Sequence, residues 1–306
     1  MRSPVRLAPL LLLAAVTLAR SGSAAITVDG RLDPDYGAAL ATQSLETSFE
    51  DANPAFSPDP VRYADGTELD ALYGAITDGV LHVLVSGNLG FCCPTAYAHQ
   101  EEFDLFIDSR PGGQHTLRAD NPTVGWFGGN TLNGLAGLSF DAVFAADYWL
   151  GCTVNMASAF AELLPDGGGA GYDLGYNVTG APGTLTGGTD PAGILAALDD
   201  SNGAGVTAGC ASASGAGVTT GVEWAIPLAA IGDPTGCVQV CVLAADAETH
   251  AIGNQTLGPS EPGNCAFGAP AGVNLANLPG NQYVIICPAP TPASGSTWGR
   301  IKTLYR

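Results

Sequence analysis

Residues 69–108 hold the feature that most narrows what this chain can become. Two strand-like runs, 69–77 and 80–88, meet at Asp78-Gly79. An Asp-Gly pair between such runs is the strongest local hairpin signal, because both central residues of a tight type I′ turn take positive φ. In the first arm Leu69, Ala71, Tyr73 and Ala75 alternate with Asp70, Leu72 and Gly74. In the second, Leu81, Val83 and Val85 alternate with Val80, His82 and Leu84. One arm is mildly two-faced and the other apolar on both faces, which suits a strand covered by a second sheet. Residues 103–108 then put Phe103, Leu105 and Ile107 on one face and Asp104, Phe106 and Asp108 on the other. The expected fold is all-β: an antiparallel β-sandwich, jelly-roll-like, with long Gly-rich loops.

The chain opens with Arg2 and Arg6 ahead of an apolar run at 7–19, followed by the small residues of 21–25. This pattern predicts a secretory signal peptide over 1–25, because the run is shorter than the ~20 residues a bilayer span needs. The sandwich domain is expected over 26–287. Residues 288–306 read as a Pro- and Ser-rich linker and a short basic tail carrying Trp298, Arg300, Lys302 and Arg306. The expected location is therefore secreted, extracellular or at the cell surface, without membrane insertion.

Without the leader, seven Lys and Arg face 29 Asp and Glu, a net charge of −22. Nucleic acid and anionic lipid would be repelled before contact. Between Ala119 and Gly299 there is no Lys or Arg, while fourteen Asp and Glu lie there. Those acids must be solvated, screened or bound to cations.

Eight cysteines, Cys92, Cys93, Cys152, Cys210, Cys237, Cys241, Cys265 and Cys287, in an exported chain predict a disulfide-stabilised fold with up to four bridges. A zinc site at Cys237 and Cys241 is disfavoured, since four residues along a strand separate side chains by about 13 Å. Composition leaves the pairing open.

Further along, residues 121–137 form a Gly- and Asn-rich irregular stretch, a ligand-face candidate. Residues 138–146 and 148–155 read as a strand pair, 194–198 as weakly helical, and 218–226, 237–245 and 282–287 as strands, with a short helical turn at 227–231.

Several of these segments carry a family likeness. Ile26-Thr-Val-Asp-Gly-Arg-Leu-Asp-Pro-Asp-Tyr-Gly37, the hairpin and Phe103-Asp-Leu-Phe-Ile-Asp108 resemble the carbohydrate-binding-module family nine fold and the dopamine-monooxygenase N-terminal-like domains. With Glu68-Leu-Asp70, Asp108-Ser-Arg-Pro-Gly-Gly-Gln114, Ser139-Phe-Asp-Ala-Val-Phe144, Gly221-Val-Glu-Trp-Ala-Ile-Pro-Leu228 and Gly253-Asn-Gln255, the chain is similar to a group of uncharacterised secreted bacterial proteins. The resemblance implies a β-sandwich and binding of sugar or another small ligand.

No catalytic constellation stands out. His82, His99, His115 and His250 lack metal-ligand spacing, and no nucleophile elbow is present. Glu101 and Glu102 could join Asp104 or Asp108 as a glycosidase acid pair, but strand alternation sends neighbours to opposite faces. Binding is the better reading: apolar sugar faces stack on aromatic rings while hydroxyls take directional hydrogen bonds. The candidates are Trp126, Phe127 and Trp149, with Gln114, Arg118 and Asn130, and the expected partner is carbohydrate or a cell-surface glycan. Tyr148 and Asn133 stand beside them. A structural surface-layer component without a small ligand is the competing class. Calcium is a candidate cofactor at two acidic turns, Asp29, Asp33 and Asp35, and Asp199, Asp200 and Asn202.

Overall fold

Asp78 and Gly79 both take positive φ, 50° and 80°, and close the hairpin of Glu68–Thr77 with Val80–Asn88. The computed structural model describes residues 25–49, 66–92, 99–124, 131–153, 157–176, 182–202, 206, 209–247 and 249–289. At the far end of the hairpin the register slips: Leu69 faces Gly87 and Ala71 faces Ser86, which leaves Asp70 in a bulge. Gly87 makes the bulge possible. Its φ is 146°, and a Cβ there would lie 1.9 Å from the Glu68 carbonyl oxygen.

The described strands form two antiparallel sheets. The smaller runs in the spatial order Ala41–Thr42, Glu68–Thr77, Val80–Asn88, Gly221–Pro227, Leu195–Leu198, Gly183–Thr184. The larger runs Thr186–Gly187, Gly171–Tyr176, Ala157–Glu162, Tyr148–Thr153, His99–Asp108, Val238–Asp246, Ile252–Thr256, with Val284–Ile286 also on Val238–Asp246 and Phe91–Cys92 on His99–Asp108. One apolar cluster joins them: Leu69, Leu72, Leu81, Val83, Val85 and Trp224 from the first against Phe103, Leu105, Ile107, Leu150, Phe160 and Val240 from the second. The molecule is thus an antiparallel β-sandwich. Trp224 spans it, its indole N–H donating to Ser158 Oγ at 3.0 Å.

The outer faces are covered too. Phe106, Trp149, Ala161 and Leu243 on the larger sheet pack under Leu117, Leu132, Leu135, Leu138, Phe140, Phe144 and Leu275. The strand pair expected over 138–155 is therefore only half present. Leu138, Phe140 and Phe144 all face the sheet, as in a strand, but the chain turns where Phe144 N–H donates to Asp141 O, so 138–146 forms no strand. Tyr148–Thr153 pairs instead with Ala157–Glu162. The helical reading of 194–198 is also replaced: Ile194, Ala196 and Leu198 enter the core with period two, and Leu195–Leu198 is a strand on Gly221–Pro227. Local propensity is a weak prior that sheet pairing overrides.

On the smaller sheet the outer face is closed by the opening segment. Tyr36 packs edge-on to Tyr73, with ring centroids 6.5 Å apart, and Leu84 lies beneath. Glu223 fastens this segment: its carboxylate accepts the Asp29 N–H at 2.8 Å, the Gly30 N–H at 2.9 Å and the Tyr36 hydroxyl at 2.8 Å. A side chain at Gly30 would strike the backbone of Asp199 at 2.4 Å, so the turn closes only with glycine at position 30.

Among the described residues two bridges are present, Cys210–Cys265 and Cys237–Cys287. Cys152 and Cys241, expected in bridges, are free and buried. Cys152 faces the space between the sheets and Cys241 the outer cover, so the sheet itself separates them. Cys93 lies outside the described residues, as does the side chain of Cys92. Burial pushes both free thiols up, which leaves them neutral and inert.

Non-reducing peptide mapping is expected to recover Cys210–Cys265 and Cys237–Cys287, with Cys152 and Cys241 alkylated only after guanidinium unfolding; alkylation of either in the native chain contradicts this packing. Glu223→Ala is expected to cost roughly 1–3 kcal/mol in denaturant titration, because three donors lose a buried acceptor. An unchanged midpoint would show that the opening segment is held by packing alone.

Candidate binding cleft

Past the end of His99–Asp108 the chain turns, and Asp147 fixes the turn by accepting the N–H groups of Ser109 and Arg110, each at 2.9 Å. Arg110 is thereby aimed across the neighbouring strands. Its guanidinium lies 4.9 Å from the Tyr148 ring centroid and donates to Glu162 Oε1 at 2.8 Å. Asp147 Oδ1 stands 3.6 Å from Arg110 Nε.

Three adjacent strands continue the surface. Tyr148, Phe160 and Tyr172 face the same side, and Phe160 and Tyr172 are register partners. Tyr148 stacks on Phe160 at 5.7 Å and 20°, and Phe160 on Tyr172 at 6.2 Å and 4°. Tyr148 and Phe160 are buried, while Tyr172 is half-buried. Small residues form the opposite wall: Ala229 and Ala230 in the turn after Gly221–Pro227, then Gly232, with Ala192 beside them. The cleft is open to solvent and has a volume of about 380 Å³.

Charge in the cleft is held by neighbours. Burial works against the Arg110 charge, but the Glu162 hydrogen bond and the nearby Tyr148 and Asp147 leave its pKa raised. Burial raises Tyr148, with Arg110 opposing. Burial likewise raises Asp147 against the two N–H groups and Arg110 that favour its charged form.

Of the residues singled out from sequence, Tyr148 lines this cleft, while Gln114, Arg118, Trp149 and Asn133 do not. Trp126, Phe127 and Asn130 fall outside the described residues. Gln114 is buried and spent internally: its amide donates to Asn121 Oδ1 and Leu164 O, and its oxygen accepts the Arg118 N–H. Arg118 is exposed and clasps Asp120 with two contacts of 2.7 Å. Trp149 is a core residue, 1% exposed, whose indole donates to Asp104 at 2.6 Å. Asn133 serves Asn121. Gln114 and Trp149 are thereby closed to a ligand. Phe160, Glu162 and Tyr172 had no signal of their own, and Arg110 stood only within the Asp108–Gln114 motif, because only strand register brings the four together.

The acidic turns have structural work. Asp29 accepts the Arg31 N–H and Asp33 the Thr27 N–H. Asp199 takes Arg31 Nε at 2.5 Å and the Ser201 N–H. Asp200 takes the Leu89 N–H, and the Asn202 carbonyl receives the Asn88 amide. Among the described residues no group of three or more His, Cys, Asp or Glu is gathered to hold a metal ion.

Comparison with protein-family models, with curated proteins and with solved structures finds no match to this chain.

Outside the cleft, carboxyls are buried with few compensating cations. Burial raises Asp70 to about 8, Glu68 adding to the effect, and raises Asp104 and Glu223 to about 7. It raises Glu102 and Asp200 well above the ordinary range. The folded chain therefore keeps protons that the unfolded chain has already released, so stability falls as pH rises from about 4 through about 8. The melting temperature is expected to be highest near pH ~4–5 and to decline toward pH ~8 at constant ionic strength. A melting temperature that climbs over this interval would mean that these carboxylates are charge-compensated when folded.

Proposed function

We propose that this chain is a secreted or surface-attached, non-catalytic module that binds carbohydrate in the Arg110 cleft. The observation that carries the reading is the row Tyr148, Phe160, Tyr172, which runs out to a half-buried ring beside the Arg110–Glu162 pair. A pyranose presents an apolar C–H face to such a ring and hydroxyls to such a pair. The volume falls in the ~300–1,000 Å³ range of small-ligand sites. The motif resemblance points the same way.

Binding without turnover is favoured by the lining. Glu162 is the one carboxylate there among the described residues, and Arg110 holds it at 2.8 Å. Paired-carboxyl glycoside hydrolysis needs a second across the bond. The two bridges suit an oxidising compartment, and no helix among the described residues is long and apolar enough to cross a membrane.

A glycan array followed by calorimetric titration tests the reading. Tyr172→Ala, with its melting temperature unchanged, is expected to weaken binding roughly three- to tenfold, the worth of one stacking contact. Arg110→Ala should do at least as much. Sugar binding that survives both changes and is lost in Trp126→Ala would move the site to the Gly-rich loop. A blank array with ordered self-assembly would favour a structural surface component.

A further inference from the structure

A second cleft, of about 540 Å³, lies where the hairpin turn, the opening segment and the exit of the last strand meet. Its apolar wall is Ile26, Ile76 and Leu228, and its lining includes the carboxylates Asp35 and Asp78. The chain is delivered into it under restraint. Val284–Ile286 pairs with Val238–Asp246, Cys287 is bonded to Cys237, and Pro288 forms a parallel bridge with Ile76. Ala289, the next residue, is itself part of the lining.

We propose that residues 298–306 of the same chain dock in this cleft. They lie outside the described residues, and three observations select them as occupant. The first is the exit: residues 287–289 are pinned at the rim, so a short tether keeps the tail at high effective concentration there. The second is charge. Residues 290–306 carry Arg300, Lys302 and Arg306 and no acid, on a chain of net charge −19. The third is apolar content, since Trp298, Ile301 and Leu304 match a wall of Ile26, Ile76 and Leu228. The intervening 290–297, Pro-Thr-Pro-Ala-Ser-Gly-Ser-Thr, is a spacer in composition, and at roughly 3.3 Å per extended residue it can turn back on the cleft.

Lys302 is the sole lysine in the sequence, so a bond mapped to it by peptide sequencing is distinct from one to the α-amine, the other primary amine of the chain. A carbodiimide joins an amine to a carboxylate with no spacer, so it reports direct ion pairing. In the full chain freed of its leader, the expected product is a monomer in which Lys302 is bonded to Asp78 or Asp35, its yield unchanged on dilution. Trp298→Ala should lower that yield several-fold while the circular dichroism spectrum stays the same. Lys302 joined only to carboxylates outside the cleft, joined only between chains, or not joined at all overturns the docking. So does a Trp298→Ala yield equal to the parent's, which would leave a charge encounter without a seat. A segment free in solution in this way would instead be available to an outside partner.

Discussion

Both faces of the strand from Glu101 to Ile107 are buried, and most of the molecule is arranged to achieve that. Phe103, Leu105 and Ile107 meet the smaller sheet, while Phe106 and its neighbours meet a layer of loop. An antiparallel sheet ordinarily keeps one face in water. Here the second face is roofed by the described segments 114–124, 131–146 and 267–283, which have almost no regular structure of their own. Such a roof works only if its polar backbone is satisfied, and the internal bonds of Gln114, Asn121, Asn133 and Asn274 do that.

Roofing the outer face has an electrostatic consequence. Glu102 and Asp104 point the same way as Phe106, so the cover takes them out of water together, at 1% and 0% exposure. Trp149 donates to one Asp104 oxygen, but Glu102 Oε1 and Asp104 Oδ2 have no donor. A proton held between the two carboxyls satisfies both, and it is what burial and mutual repulsion favour. The same logic applies to Asp70 in its bulge beside Glu68. A chain with no Lys or Arg between Ala119 and Gly299 has few other means of neutralising buried acids.

Two cations among the described residues are used where the chain changes direction. Arg31 ties the opening turn to Asp199, and Arg110 ties the end of a central strand to Glu162 and Asp147. The Arg110 arrangement also leaves an opening, because the residues across from it are Ala and Gly. Stability and the candidate site therefore share one side chain. The polar strand Ile252–Thr256 shows the opposite case: Asn254 and Gln255 are fully buried, and their side chains bond to Ser48, Glu46, Leu45 and Leu69 and to one another, so folding accounts for their motif.

The sequence by itself determined the hairpin at Asp78-Gly79, the two-faced Phe103–Asp108 run and the all-β class, because turn chemistry and side-chain alternation are local. It also showed the charge imbalance. It did not show that 138–146 is a roof rather than a strand, nor that Leu195–Leu198 joins a sheet, since both depend on which distant surface is left uncovered. Gln114 and Trp149 read as ligand-binding types but are committed to the interior, a matter of burial that composition does not carry. The Arg110 cleft is the clearest case. Tyr148, Phe160 and Tyr172 fall on three different strands, and only the pairing registers stack their rings. The thiols make the same point in reverse: all eight cysteines looked alike in sequence, and tertiary structure separated bridged from free by putting Cys152 and Cys241 on opposite faces of one sheet.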